Sequence, residues 1–156
     1  KYVACVLPSI FGDFTFSTIK GKNITHDIEG IKDSKIIKLE VKYDKLSSGT
    51  GNFAFELFRL KDNVLIKTGV LVSESDYWVQ VDAQKNIYLF TTDVIKDMIK
   101  WILFSSRTAA NFKIVLGGDK NKTVILLVNI IDCIKFCDHD RYYRRILANE
   151  NYDKKN

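Results

Sequence analysis

Ile37-Lys38-Leu39-Glu40-Val41-Lys42-Tyr43 places an apolar residue at every second position and a charge between each pair. Side chains alternate faces along a strand, so the stretch reads as a β-strand with one buried and one wet face. Ser47-Ser48-Gly49-Thr50-Gly51-Asn52 follows as a turn or loop. Beyond it, Phe53 to Leu60 is a second strand, rich in aromatics. Lys61-Asp62-Asn63 is a short connection, and Val64 to Val72 runs back to close a hairpin. Tyr77 to Val81 and Asn86 to Thr91 are two further strands joined through Asp82-Ala83-Gln84-Lys85. Phe112 to Leu116 and Thr123 to Ile131 form another hairpin around Gly117-Gly118, because glycine supplies the positive φ of a tight turn.

Two segments read differently. Thr92 to Phe104 carries Val94, Ile95, Met98, Ile99, Ile102 and Leu103 at helical spacing, with Thr92 or Asp93 as a cap. Met98 to Phe104 also reads as a buried strand, so the expectation is a turn of helix near Asp93 leading into a strand from Ile99. In the tail, Asp138 to Leu147 has acids first and bases later, matching a helix dipole, and predicts a short C-terminal helix.

The chain has 156 residues, 46% apolar and 28% charged, which is ordinary globular composition for one domain. No apolar run reaches the ~18 residues of a membrane helix. The expected fold is mostly β: a single-domain antiparallel β-sandwich, jelly-roll-like or barrel-like, closed by the C-terminal helix. Residues 1–148 make the domain and residues 149–156 a polar, frayed tail.

The net charge is +5, and most of the excess lies between Lys96 and Lys122. There Lys96, Lys100, Arg107, Lys113, Lys120 and Lys122 face only Asp97 and Asp119. No block of five or six like charges occurs, so a nucleic-acid arm is not indicated and no nucleic-acid partner is expected.

Two N-glycosylation triplets, at Asn23 and Asn121, and a first residue, Lys1, that is not methionine point to a secreted protein. Cys5, Cys133 and Cys137 are candidates for one disulfide, with one thiol left over; the alternative is three reduced cysteines acting as small apolar side chains.

Catalytic signatures are absent from the pattern. The chain has only His26 and His139, and Cys133, Cys137 and His139 lack the paired spacing of a zinc site. Neither Cys137–His139 nor Cys5–His26 makes a convincing nucleophile and base. Carboxylate pairs for glycoside hydrolysis can be drawn from Glu40, Glu56, Glu74 or Asp82, but carboxylates are common on any soluble surface. No catalytic residue, cofactor or metal is expected.

Among the aromatics, Tyr77 and Trp78 are adjacent on a strand, which turns one ring outward. An outward ring stacks on a sugar or anchors a protein partner. Phe112-Lys113-Ile114-Val115-Leu116-Gly117-Gly118-Asp119-Lys120-Asn121-Lys122-Thr123-Val124-Ile125 resembles a segment of the farnesoic acid O-methyltransferase-like domain, with Asp119 standing where that family commonly has tryptophan. The resemblance implies a β-sandwich recognition module rather than a methyltransferase. The functional expectation is therefore a secreted, non-enzymatic module that binds a glycan or extracellular protein through Tyr77, Trp78 and the Lys96 to Lys122 region. The alternatives are a self-assembling extracellular β-protein, with the chain forming homo-oligomers, and a small hydrolase or apolar-ligand carrier.

Overall fold

The computed structural model describes residues 2–20, 26–104, 111–118, 120, 122–138 and 143–146, the last four and Asp138 by backbone alone. Two short helices, α1 (Tyr2–Val6) and α2 (Pro8–Phe11), open the chain. Strands β1 (Thr15–Thr18), β2 (Ile28–Lys32) and β3 (Lys35–Asp44) follow, then a single helical turn, α3 (Ser47–Thr50). The hairpin β4 (Asn52–Lys61) and β5 (Val64–Lys67) leads through a 3₁₀ turn at Gly69–Leu71 to β6 (Tyr77–Asp82) and β7 (Ile87–Thr91). Helix α4 (Thr92–Phe104), strands β8 (Phe112–Gly117) and β9 (Thr123–Asn129), helix α5 (Ile130–Asp138) and strand β10 (Tyr143–Ile146) complete it.

The strands make two open sheets. One runs β1-β2-β3-β6-β7-β10 and the other β5-β4-β9-β8. The mostly β reading holds, and neither sheet closes into a barrel. The pairing is not wholly antiparallel, because β3 and β6 run parallel, with Leu39 opposite Tyr77 and Lys42 opposite Gln80. Parallel neighbours need a crossover, and α3, the β4–β5 hairpin and the 3₁₀ turn supply it by departing into the second sheet and returning. Asp62 and Asn63 both take positive φ, 50° and 61°, which suits the two-residue turn between β4 and β5.

The first sheet is packed on both faces. On one side Val3, Val6 and Leu7 of the N-terminal helices bury Ile37, Leu39, Val79, Val81, Ile87 and Leu89. On the other, Trp78, Tyr88 and Phe90 meet Phe53, Phe55, Leu126 and Val128 of the second sheet together with α4 and α5. This double packing explains why β6 and β7 are buried almost throughout.

Helix α4 spans the whole of Thr92–Phe104, which corrects the expected strand from Ile99. Ile95, Met98, Ile99 and Ile102 form one buried stripe, and Asp93 sits in the first turn where the helix dipole favours it. The helix near the C-terminus also lies earlier than expected. Ile130–Asp138 is helical, with Cys133 and Cys137 one turn apart in the core, whereas Tyr143–Ile146 pairs with the free edge of β7 as a strand. Open main-chain groups on β7 outweigh the weak helical preference of that segment. All three cysteines are free thiols, Cys5 exposed and the other two buried. Burial, and then its neighbour Cys137, push the Cys133 thiol well above its ordinary 9.0. Among the described residues no helix is long and apolar enough to cross a membrane.

Candidate functional site

The alternation along β3 sends Leu39 and Val41 towards the N-terminal helices and Glu40, Lys42 and Asp44 towards the second sheet. Parallel pairing sets Trp78 beside Glu40, Gln80 beside Lys42 and Asp82 beside Asp44 on that same face. The first half of β4 passes over them. Its edge there is not covered by β5, which pairs only from Phe58 to Lys61. Two side chains from the first sheet occupy this edge: Asp44 Oδ2 accepts from the Ala54 N–H at 3.2 Å, and Gln80 Nε2 donates to the Ala54 carbonyl at 3.5 Å. Between the strands lies a cleft of about 170 Å³ lined by Lys42, Asp44, Glu56, Trp78, Gln80 and Ile125 among others.

The groups in this cleft divide into those already engaged and those free to act. Asp44 also accepts from the N–H groups of Leu46 and Ser47, fixing the turn into α3. Asp82 is held by the Asn86 N–H, the Asn86 amide and the Tyr88 hydroxyl. Both carboxylates are thus spent on turns. Lys42 Nζ, by contrast, donates to Glu40 Oε1 and stands 5.6 Å above the Trp78 ring. With the Lys42 side chain 39% exposed, this pair adds little stability and serves to place the ammonium. The cation–π contact holds it from the other side.

Two buried polar atoms of the residues lining this cleft, Trp78 Nε1 and Gln80 Oε1, have no partner among the described residues. Gln80 is fully buried and Trp78 is 1% exposed. The bond from Gln80 Nε2 to Ala54 fixes which way the amide points, so its oxygen is turned away from the Ala54 carbonyl. Leaving such an atom unpaired costs about 1–3 kcal/mol, a cost a fold bears where something else completes the bond. Lys42, Glu56, Trp78 and Gln80 therefore line one small space, with Glu40 joined to it through Lys42, and the two unpartnered atoms lie buried in its wall.

A larger cavity of about 460 Å³ lies on the other face of β3, between α1 and the sheet. Tyr2, Val3, Ile28, Val41 and Val81 line it, and its carboxylate, Asp27, already accepts from the Val41 N–H at 2.8 Å. Its walls are mostly apolar side chains.

The residues expected to bind a partner are placed differently. Trp78 is in the core rather than on the surface, and Tyr77 packs edge-on to Phe11 at 5.0 Å, so the pair presents no outward ring for stacking. Lys96 donates to the Ser73 carbonyl and Lys100 to Asp97, both from α4; Lys113 lies on β8, and Lys120 and Lys122 flank the β8–β9 turn. Arg107 and the glycosylation candidates Asn23 and Asn121 lie outside the described residues. Of the four carboxylates weighed for chemistry, Glu56 lines the cleft, Glu40 holds Lys42 beside it, Asp82 belongs to a turn, and Glu74 is exposed in the loop before β6. Gln80 carried no sequence signal, because its importance comes from burial.

No family model matches the chain, and no curated protein matches it. The hairpin of Phe112 to Ile125 therefore gains no support from either for its resemblance to the farnesoic acid O-methyltransferase-like domain. Among solved structures, a bacterial homing endonuclease aligns at 18% identity with a TM-score of 0.45, over 59% of this chain and 64% of that one. This chain thus matches less than two thirds of that protein's length. So slight a likeness transfers neither fold nor activity. It nevertheless conflicts with a secreted glycan- or protein-binding module and with the exclusion of nucleic acid. Both expectations are thereby corrected, and for the binding module the burial of Trp78 and the packing of Tyr77 on Phe11 remove the aromatic surface it relied on.

Proposed function

We propose that the cleft between β3, β6 and β4 hydrolyses phosphodiester bonds of a nucleic acid with the help of a divalent cation. The observation that carries this reading is the cleft lined by Lys42, Glu56 and Gln80, with Glu40 on the lysine and the buried Gln80 amide oxygen without a partner among the described residues. Carboxylate and amide oxygens are hard donors suited to Mg²⁺. Among the described residues no three Asp, Glu, His or Cys side chains converge on a metal position. An ion here would be held by Glu56, with Gln80 beside it, and completed by the substrate's own phosphate. When bound, such an ion polarises the phosphoryl oxygen and lowers the pKa of its water.

The chain's own residues supply the rest. Lys42 brings a compact positive charge to a phosphate oxygen, held in place by Glu40 and Trp78. Trp78 Nε1 offers a donor from within the core. The cleft volume favours a polymer over a small molecule: 170 Å³ is below the ~300–1,000 Å³ that engulfs a small molecule, and it has room for one phosphate of an extended chain. The overall charge of +5 favours a polyanion.

The test is cleavage of plasmid DNA and of single-stranded RNA with Mg²⁺ or Mn²⁺, against a chelator control. Glu40→Gln and Lys42→Ala are each expected to lower the rate by about 10²-fold or more with the fold retained. Absence of cleavage with either ion, or full activity in both variants, refutes the reading.

A further inference from the structure

Strand β8 is an edge strand of the second sheet, and its side chains are unusual for an edge. Phe112, Ile114 and Leu116 lie opposite Val128, Leu126 and Val124 of β9, on the face that forms the core. Yet they are 38%, 51% and 66% exposed. Asn129 N–H donates to the Asn111 carbonyl, which sets the alternation of the ladder: 113, 115 and 117 bond inward to β9. Phe112, Ile114 and Leu116 therefore direct their main-chain N–H and C=O groups outward. Among the described residues, those with open backbone groups are the same ones with exposed apolar side chains.

We propose that β8 pairs antiparallel with β8 of a second copy of this chain, joining the two four-stranded sheets into one of eight strands. The choice of a second copy follows from the register. With the two-fold axis at Ile114, that residue faces its own counterpart, Phe112 faces Leu116, and Lys113 faces Val115. All three pairs on the core face are apolar, and no lysine opposes a lysine. The contact is isologous, so it closes at two copies. Strand β5, at the opposite edge, lacks this match. Thr68 N–H donates to the Leu57 carbonyl, which leaves Leu65 and Lys67 as the outward-directed residues and puts a charge into the pairing row. The pairing holds whatever chemistry the cleft performs.

Light scattering coupled to size exclusion, over a concentration series of the full chain, tests the proposal. The mass is expected to rise from 18.0 kDa towards twice that value. Ile114→Lys sets like charges face to face at the axis, and it is expected to weaken association about tenfold or more. Leu116→Lys acts in the same direction, and both sites are exposed enough to leave the circular dichroism spectrum unchanged. Leu65→Lys on β5 should leave the dimer intact. A constant monomer mass, growth beyond two copies, or dissociation by Leu65→Lys but not by Ile114→Lys would overturn it.

Discussion

Replacing Gln80 by methionine should stabilise the protein while removing its response to divalent cations. The Gln80 amide oxygen is buried without a partner, and that omission costs about 1–3 kcal/mol. Its one bond, from Nε2 to the Ala54 carbonyl, is 3.5 Å long, at the limit for a hydrogen bond, and contributes well under the ~1 kcal/mol of a good one. Methionine has nearly the same length and keeps the volume filled. After allowance for the released Ala54 carbonyl, the net gain is about 1 kcal/mol, or roughly 2–4 °C in melting temperature for a chain of this size. The assay is thermal unfolding followed by circular dichroism, with and without Mn²⁺. A ligand present at a hundred times its Kd adds about 2.7 kcal/mol to the native state, so the wild type should melt higher with the ion and the variant should not. If Gln80→Met instead destabilises by more than about 1 kcal/mol, the oxygen has a structural partner and the case for a functional cleft fails. A Mn²⁺ response equal to that of the wild type would be as damaging.

Two further outcomes follow from the packing. In native conditions a thiol reagent should modify one cysteine, Cys5, and reach Cys133 and Cys137 only on unfolding. Because burial raises the Cys133 thiol above 9.0, the unfolded chain loses that proton first; stability should fall as pH rises past about 9, by up to ~1.4 kcal/mol per unit until the folded thiol itself titrates. Gly69 has φ +53°, and a Cβ there would lie 2.5 Å from the Glu56 carbonyl oxygen. Gly69→Ala should therefore cost about 1–3 kcal/mol in urea unfolding and lower the cleavage rate, by shifting the strand that carries Glu56.

Local signals made most strands legible. The alternation at 37–43, the aromatic run into β4 and the turn residues at 62–63 each express a choice made by neighbours in sequence. What was not legible depended on distant partners. Nothing in residues 37–43 or 77–81 announces that β3 and β6 run parallel, since that depends on where the intervening hairpin goes. Residues 143–146 look as helical as residues 130–138; only the open edge of β7 separates their fates. Thr92–Phe104 erred in the other direction: its full helical stripe was visible, but Met98 to Phe104, six apolar residues around Lys100, also satisfies a buried strand when the sheet is unknown.

The cleft shows how a correct local reading leads to an incomplete function. Charges at 38, 40 and 42 were read as a wet face, and in isolation a strand with that pattern is wet. In the folded protein the same face is overlaid by β4, so Glu40 keeps only 17% of its side-chain exposure and Lys42 is fixed between it and an indole. Burying charge is costly, and a strand facing a second layer would gain stability from apolar residues at those positions. Covering Glu40 and burying Gln80 there, with Trp78 Nε1 and Gln80 Oε1 unpaired among the described residues, runs against the apolar packing along β6 and β7. That conflict is local, involves groups able to bind a cation and a phosphate, and occurs where the two sheets diverge into a cleft. Under the proposed function it is the position at which the fold gives up stability for chemistry, and the stabilising effect expected of Gln80→Met is the direct measure of that trade.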